Sequence, residues 1–320
     1  MNEGKITYSV VVPFFNEEGS VAPLHVKLSD VMQRLGAPYE LIFVDDGSQD
    51  HTLKLLTGIY EQDSNVHVLQ LRKNFGQTAA LKAGFDFARG DIVVALDGDL
   101  QYDPADIPAL VDKLREGYDI ASGWRKNRND DMTRKLPSFI ANRIMAWISR
   151  VPLHDFGCTF KAYRRDVIQN IPLYGELHRF IPALASWSGA TVVEVPVRLS
   201  PRESGTSKYG LGRTIRVLLD LLSIKFMLDY STKPLHFFGL FGLLGTMLGG
   251  GIGFFLLVKK LLFGETIMTE HGPLLMVAVV LILSGVQFLS MGLLGDMLSR
   301  TYYESQNRSI YATRSIHSRR

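Results

Sequence analysis

The stretch from Ile92 to Pro104, IVVALDGDLQYDP, ends a short apolar run on two aspartates one residue apart. Working back from it, apolar runs of strand length recur at Tyr8 to Phe14, Glu40 to Val44 and Val66 to Leu71, with the last at Ile92 to Leu96. Helical patterns fall between them, near 18–35, 51–62 and 77–88. Strand and helix in alternation predict an α/β domain on a mostly parallel sheet covered on both faces. Ligands of such sheets sit beyond the carboxyl ends of the strands, so the residues that follow each strand carry the functional information. Here they are acidic: PFFNEE at 13–18, DDGSQD at 45–50 and DGD at 97–99. Neither GxGxxG nor GxxxxGK(S/T) stands at these positions, which removes the usual dinucleotide and P-loop readings.

Asp97 and Asp99 have the spacing that, where a strand turns, brings two carboxylates to one hard cation. Magnesium or manganese suits such a pair, because either also binds phosphate oxygens. Alone, DxD is a weak signal that reads first as a loop with two solvated aspartates; its place at a strand end favours the ligand. Asp45 and Asp46 are two further acids at a strand end, followed by Gly47 and Ser48. The competing reading is a turn whose aspartate caps the next helix, and Asp50 fits that capping role, leaving the pair for a ligand.

The 320 residues exceed one ordinary core, and 46% hydrophobic with 21% charged residues excludes a disordered chain. A single cysteine, Cys158, forms no intrachain disulfide, and a net charge of +3 gives no argument for nucleic acid. Charge is unevenly spread: across 234–295 the only charged residues are Lys259, Lys260, Glu265 and Glu270. Leu235 to Val258 and Pro273 to Gly295 carry no charge, and a bilayer core needs about 20 helical residues, so two transmembrane helices are expected. Basic residues cluster before the first span (Arg213, Arg216, Lys225, Lys233) and after the second (Arg300, Arg308, Arg314, Arg319, Arg320). This places the domain and both termini in the cytoplasm and the loop outside. Expected boundaries are a domain over 1–210, a juxtamembrane amphipathic helix over 211–233, spans within 234–295 and a basic tail over 296–320. Arg134, Lys135, Asn142 and Arg143, among apolar neighbours, suggest another amphipathic helix. Gly245, Gly249 and Gly253 form a stripe suited to helix pairing within or between chains, compatible with a homo-oligomer.

PFFNEE at 13–18, VDDGSQD at 44–50, RKNFGQTAALKAGF at 72–85 and LDGDLQYDP at 96–104 together resemble the GT-A core of inverting family-2 glycosyltransferases. DFGCTFKAYRR at 155–165, RESGTSKYG at 202–210 and two spans ending in GLLGD resemble the polyprenyl-phosphate branch of that family. The resemblance implies a Rossmann-like GT-A domain followed by interfacial helices and two transmembrane helices in the inner membrane. It implies transfer of a sugar from a nucleotide donor to polyprenyl phosphate, with Mg2+ or Mn2+. Pro13, Glu17, Asp45, Asp46 and Lys73 would then serve the donor's nucleoside side. Asp97, Asp99 and Gln101 would serve the metal and diphosphate, and Arg202, Ser207 and Lys208 the acceptor phosphate. Asp99 and Asp155 would be catalytic. Asp155 matches the family's proposed base, yet a phosphate monoester with a second pKa of about 6 is largely its own nucleophile, so an orienting role is expected. In-line displacement predicts inversion at the anomeric carbon.

This chain departs from the pattern at Asp103–Pro104, where relatives often have two prolines, and at Gly98, where alanine is frequent; neither removes a ligand group. A processive polysaccharide synthase would need a QxxRW motif, which is absent. A non-enzymatic nucleotide-sugar-binding membrane subunit would lack transfer. UDP-glucose is the first expectation for the donor, ahead of derivatives of 4-amino-4-deoxyarabinose, mannose and N-acetylhexosamines. His154 and Cys158 read as structural.

Overall fold

The computed structural model describes residues 5–126, most of 143–200, 234–264, 266–305 and 313–317. Arg134, Lys135 and Asn142, and the whole of 201–233 with Arg202, Ser207, Lys208 and the expected interfacial helix, lie outside the described residues. The chain divides into a sheet-containing unit, 1–221 with 309–320, and a helical unit, 222–308.

The first unit opens with β1 (Tyr8–Phe14), α1 (Val21–Leu35), β2 (Tyr39–Asp45), α2 (Thr52–Gln62), β3 (Val66–Leu71), α3 (Gln77–Phe87) and β4 (Ile92–Ala95). After a 3-10 turn follow α4 (Ile107–Arg115), β5 (Ile120–Trp124), β6 (Lys161–Arg164), α5 (Arg165–Gln169), α6 (Ile181–Trp187) and β7 (Val192–Pro196). Every residue of β2 is buried, as expected of a strand with helices on both faces. Val10, Val12, Leu41, Phe43, Val68 and Val94 pack with Leu24, Leu28 and Met32 of α1 and Leu110 and Val111 of α4.

The sheet order is β7-β5-β6-β4-β1-β2-β3-β8. β1 runs parallel to β2 and β4, with Phe14 beside Asp45 and Val11 beside Ala95. That register brings the residues following these three strands to one edge of the sheet. β6 is inserted antiparallel between β4 and β5, with Lys161 opposite both Ala95 and Ser122. Residues entering β6 therefore arrive where β4 and β5 end. The final strand, β8 (Thr313–His317), pairs antiparallel with β3. The expected basic tail thus contains an edge strand of the first unit.

In the second unit, α7 (Pro234–Phe263) and α9 (Gly272–Ser305) flank the short α8 (Ile267–Glu270). α7 extends beyond the expected 258 through Lys259 and Lys260, and α9 beyond 295. Phe237–Phe263 and Gly272–Gly295 have mean hydropathies of 1.9 and 2.4, long and apolar enough to cross a membrane. Their outward side chains, among them Leu240, Met247, Phe254, Met276 and Leu283, are exposed, unlike those of core helices. Gly245 and Gly249 let the two helices approach: a Cβ at Gly249 would lie 2.6 Å from the Ala278 carbonyl oxygen. Gly253 faces open space, and Gly242, against Gly285, takes its place in the contact.

Candidate active site

The ends of β1, β2 and β4 enclose a cleft of about 320 Å³ lined in part by Pro13, Phe15, Glu17, Asp46, Gln77, Asp97 and Asp99. The loops around it are close-packed and strained. Asn16 and Leu100 hold φ of 55° and 60°, a region that non-glycine residues rarely occupy. Gly47 has φ 74°, and a Cβ there would lie 2.6 Å from the Lys73 carbonyl carbon. A Cβ at Gly98 would lie 2.6 Å from the Phe14 ring and 2.8 Å from the Pro13 oxygen. The absence of a Cβ at Gly98 therefore lets the DGD turn rest directly on the end of β1.

The adjacent acids Asp45 and Asp46 have different surroundings. Asp46 accepts the backbone N–H groups of Phe75 at 2.8 Å and Gly76 at 2.9 Å, one on each oxygen. It ties the loop after β3 to the end of β2 while also lining the cleft. Asp45 accepts the Ser48 N–H on Oδ1, and its buried Oδ2 has no hydrogen-bond partner among the described residues. Burial raises the pKa of both, that of Asp45 against the hydrogen bonds from Ser48 and that of Asp46 against those from Phe75 and Gly76. Asp50, as expected, accepts the N–H of Thr52 at the start of α2. Glu17 is fixed through its N–H, which donates to Thr52 Oγ1. The Lys73 ammonium lies over the Phe75 ring.

Asp97 accepts Gln77 Nε2 at 2.6 Å and Thr159 Oγ1 at 2.5 Å. Burial, and next the charge of Asp99, push its pKa up to about 6. A carboxylate pair held in mutual repulsion gains from a cation, so the donor set fits a divalent metal. Among the described residues no three metal-ligating side chains cluster. Asp99 Oδ1 accepts the N–H of Gln101, whose carbonyl accepts the Ser200 N–H and so fixes the far side of the turn.

Asp155, buried at 6% exposure, forms a two-pronged ion pair with Arg125: Nε to Oδ2 at 2.6 Å and Nη2 to Oδ1 at 2.8 Å. Burial acts to raise its pKa, but hydrogen bonds and charge from Arg125 overcome this and hold the carboxyl below its ordinary value. A carboxylate so held is a weak base and a good anchor for a guanidinium. Sequence reasoning did not single out Arg125, Thr159, Gln77 or Lys161. Arg125 directly follows β5, so the rule applied to the other strand ends would have found it. His154, read as structural, stacks on Trp124 at 4.6 Å and bonds Glu194. Cys158 is fully buried, as expected of a packing residue.

A family model described as glycosyl transferase family 2 matches residues 9–171. The chain is 45% identical over 313 residues to the dodecaprenyl-phosphate galacturonate synthase of Rhizobium johnstonii, across 96% of this chain and 92% of that one. It is 37% identical over 304 residues to the undecaprenyl-phosphate 4-deoxy-4-formamido-L-arabinose transferase of Klebsiella pneumoniae, across 95% and 91%. The crystal structure of glucosyl-3-phosphoglycerate synthase from Mycobacterium tuberculosis with Mn2+ and UDP-glucose superposes with a TM-score of 0.53 at 21% identity, over 69% of this chain and 79% of that one. At that identity the likeness is one of fold, the GT-A arrangement of strands.

Proposed function

Because the chain belongs to glycosyl transferase family 2, we propose that it transfers a sugar from a nucleoside-diphosphate donor to polyprenyl phosphate at a membrane surface. The observation that carries the donor side is the convergence of Glu17, Asp46, Asp97 and Asp99 on one cleft at the carboxyl end of the sheet, with Asp45 buried beside it. The acceptor class is supported by two relatives, each matched over more than nine tenths of its length and each named for a polyprenyl phosphate. Among sugars, glucose gives way to a uronic acid as first choice, since the 45% relative is a galacturonate synthase; a 4-formamido-arabinose donor stands second. Two membrane-length helices between segments of one unit support an integral membrane protein with both ends on one side. The basic residues that flank the spans favour the cytoplasm.

Asp97 and Asp99 would hold Mg2+ or Mn2+, which when bound would neutralise the leaving nucleoside diphosphate. Asp45 would accept from a base N–H or ribose hydroxyl, with Glu17 and Lys73 at the same rim. The Asp155 carboxylate would orient Arg125 rather than remove a proton, because the acceptor phosphate is already ionised near neutral pH. Arg202, Ser207 and Lys208 would meet that phosphate. One in-line displacement would then invert the anomeric carbon.

The test is transfer of radiolabel from UDP-galacturonate, the UDP-linked 4-formamido-arabinose, UDP-glucose and GDP-mannose to undecaprenyl phosphate in detergent with Mn2+. Labelled lipid from one donor with wild type, absent with Asp99→Asn, is the expected outcome. Binding of a donor with metal but labelling by none would overturn the transfer reading and leave a nucleotide-sugar-binding subunit.

A further inference from the structure

The segment 154–160 links two groups at the carboxyl end of the sheet, the Asp155–Arg125 pair and Asp97 of the cleft. Its start presents Asp155 to Arg125, and its end presents the Thr159 hydroxyl to Asp97. Between these contacts its backbone is held by two charged side chains of opposite sign. Glu194 on β7 accepts on Oε1 the N–H groups of His154 at 2.7 Å and Asp155 at 2.9 Å, while Oε2 lies 2.7 Å from His154 Nδ1. Lys161, the first residue of β6 and 0% exposed, donates to the carbonyl oxygens of Phe156, at 3.4 Å, and Cys158. A carboxylate suits N–H groups and an ammonium suits carbonyls. Burying such charges is costly unless bonds of this kind offset it.

We propose that Glu194 and Lys161 are positioning residues that clamp this segment and thereby couple the Asp155–Arg125 pair to Asp97. The topology makes the coupling direct. β6 starts where β4 and β5 end, so one short piece of chain spans from the residue after β5 to the residues after β4. The His154 ring stacked on Trp124 fixes the segment beside Arg125, and Thr159 fixes it to the metal-side acid. A change at either end is carried by a backbone with little freedom to absorb it. If Lys161 were only a countercharge to the nearby acids, Glu194, whose bonds are to His154 and Asp155, would have no effect on metal binding.

The clamp rests on the geometry alone; the ligand used to read the coupling rests on the donor function proposed above. In the full-length protein in detergent, hydrogen–deuterium exchange of 154–160 reads the clamp, and calorimetric binding of UDP with Mn2+ reads the coupling. Glu194→Ala and Lys161→Met should both speed exchange there and both weaken UDP·Mn2+ binding by roughly fivefold or more, with Lys161→Arg recovering part of the loss. Reciprocally, UDP with Mn2+ should slow exchange of the same amides in wild type.

Glu194→Ala that speeds exchange yet binds UDP·Mn2+ as wild type does would overturn the coupling. Unchanged exchange in both variants would overturn the clamp. Where Lys161→Met gives no cooperative melt, Thr159→Val cuts the same link without removing a charge. Adding Glu194→Ala to it should then have no further effect on binding, and full additivity would sink the proposal. Failure of wild type to bind UDP with Mn2+ would count against the donor reading alone. Exchange would still decide the clamp, with Mn2+ alone as the probe of coupling.

Discussion

Glu40 and Asp45 sit at opposite ends of β2, both buried, and the two ends of the strand treat a carboxylate in opposite ways. Glu40 accepts from Ser9 Oγ, the Arg89 N–H, and Arg89 Nε and Nη2, all at 2.7–2.9 Å, with His67 Nε2 at 3.4 Å. Burial acts to raise its pKa, yet these bonds overcome it and hold the pKa at about 2. Asp45 keeps a buried oxygen without a partner among the described residues, and its pKa is raised. Asp97, at the same end as Asp45, is raised to about 6. The amino end of the sheet satisfies its acid and holds the fold together. At the carboxyl end Asp155 is matched by Arg125, but Asp45 and Asp97 are held with raised pKa values, a deficit of positive charge that a metal and a donor would supply.

The sharpest way to break this contrast is Asp97→Asn. Transfer activity should fall by about a thousandfold, a loss typical of removing a group that acts on developing charge. The metal-free protein should meanwhile melt at the same temperature or higher, because an acid in repulsion with Asp99 has been neutralised. A large loss of stability would show that Asp97 holds the fold, as Glu40 does, and the contrast would fail.

Glu40→Gln is the complementary change, and stability should fall by about 3 kcal/mol, since a hydrogen-bonded buried charge is removed and Arg89 keeps only a neutral acceptor in place of its ion-pair partner. The turnover measured well below the melting temperature should stay near wild type. Chemical denaturation and transfer assays on the same preparation check both halves of this statement.

How much of the contrast is legible in the sequence depends on whether the interactions are local. β1 to β4 read directly because strands buried on both faces are nearly continuous apolar runs, and the acids stand out at their ends. Arg125, Thr159, Lys161 and Glu194 do not stand out, because their meeting depends on an antiparallel β6 inserted between β4 and β5. A long stretch of chain separates Arg125 from Lys161, and the pairing leaves no local signature. Lys161 is concealed further by its own chemistry, since KAYR reads as a surface segment although its lysine is fully buried. The polar edge strand TRSIH reads as tail for the same reason.

The pH dependence sharpens the comparison further. The folded pKa of Glu40, about 2, lies below its ordinary 4.5, so its stabilisation is complete above about 4.5 and is lost as pH falls toward 2. The folded pKa of Asp97, about 6, lies above 3.8, so the metal-free protein loses stability as pH rises from about 4 through 6. The loss is on the order of 1–2 kcal/mol after allowance for its partial exposure. Wild type and Asp97→Asn should therefore converge in melting temperature below pH 4 and separate above pH 6, and Mn2+ should close the gap for wild type. Parallel curves across that range would contradict the assignment of Asp97 to the charge-deficient end.

The smallest effects discriminate two neighbours that the sequence presents as one pair. Asp45→Asn puts a donor where Asp45 offers an acceptor with no partner among the described residues, so a ligand N–H meets an N–H instead. Donor KM should rise about tenfold, corresponding to one lost hydrogen bond, with the melting temperature unchanged. Asp46→Asn leaves one of the Phe75 and Gly76 N–H groups facing an amide NH2, so stability should fall by about 1–2 kcal/mol. Its effect on KM should follow only from loosening of the loop after β3. Steady-state kinetics with the preferred donor and thermal melts of both variants decide the matter. If the two substitutions behave alike, the second oxygen of Asp45, without a partner among the described residues, has no special relation to the donor, and the carboxyl end of β2 differs from the amino end in packing alone.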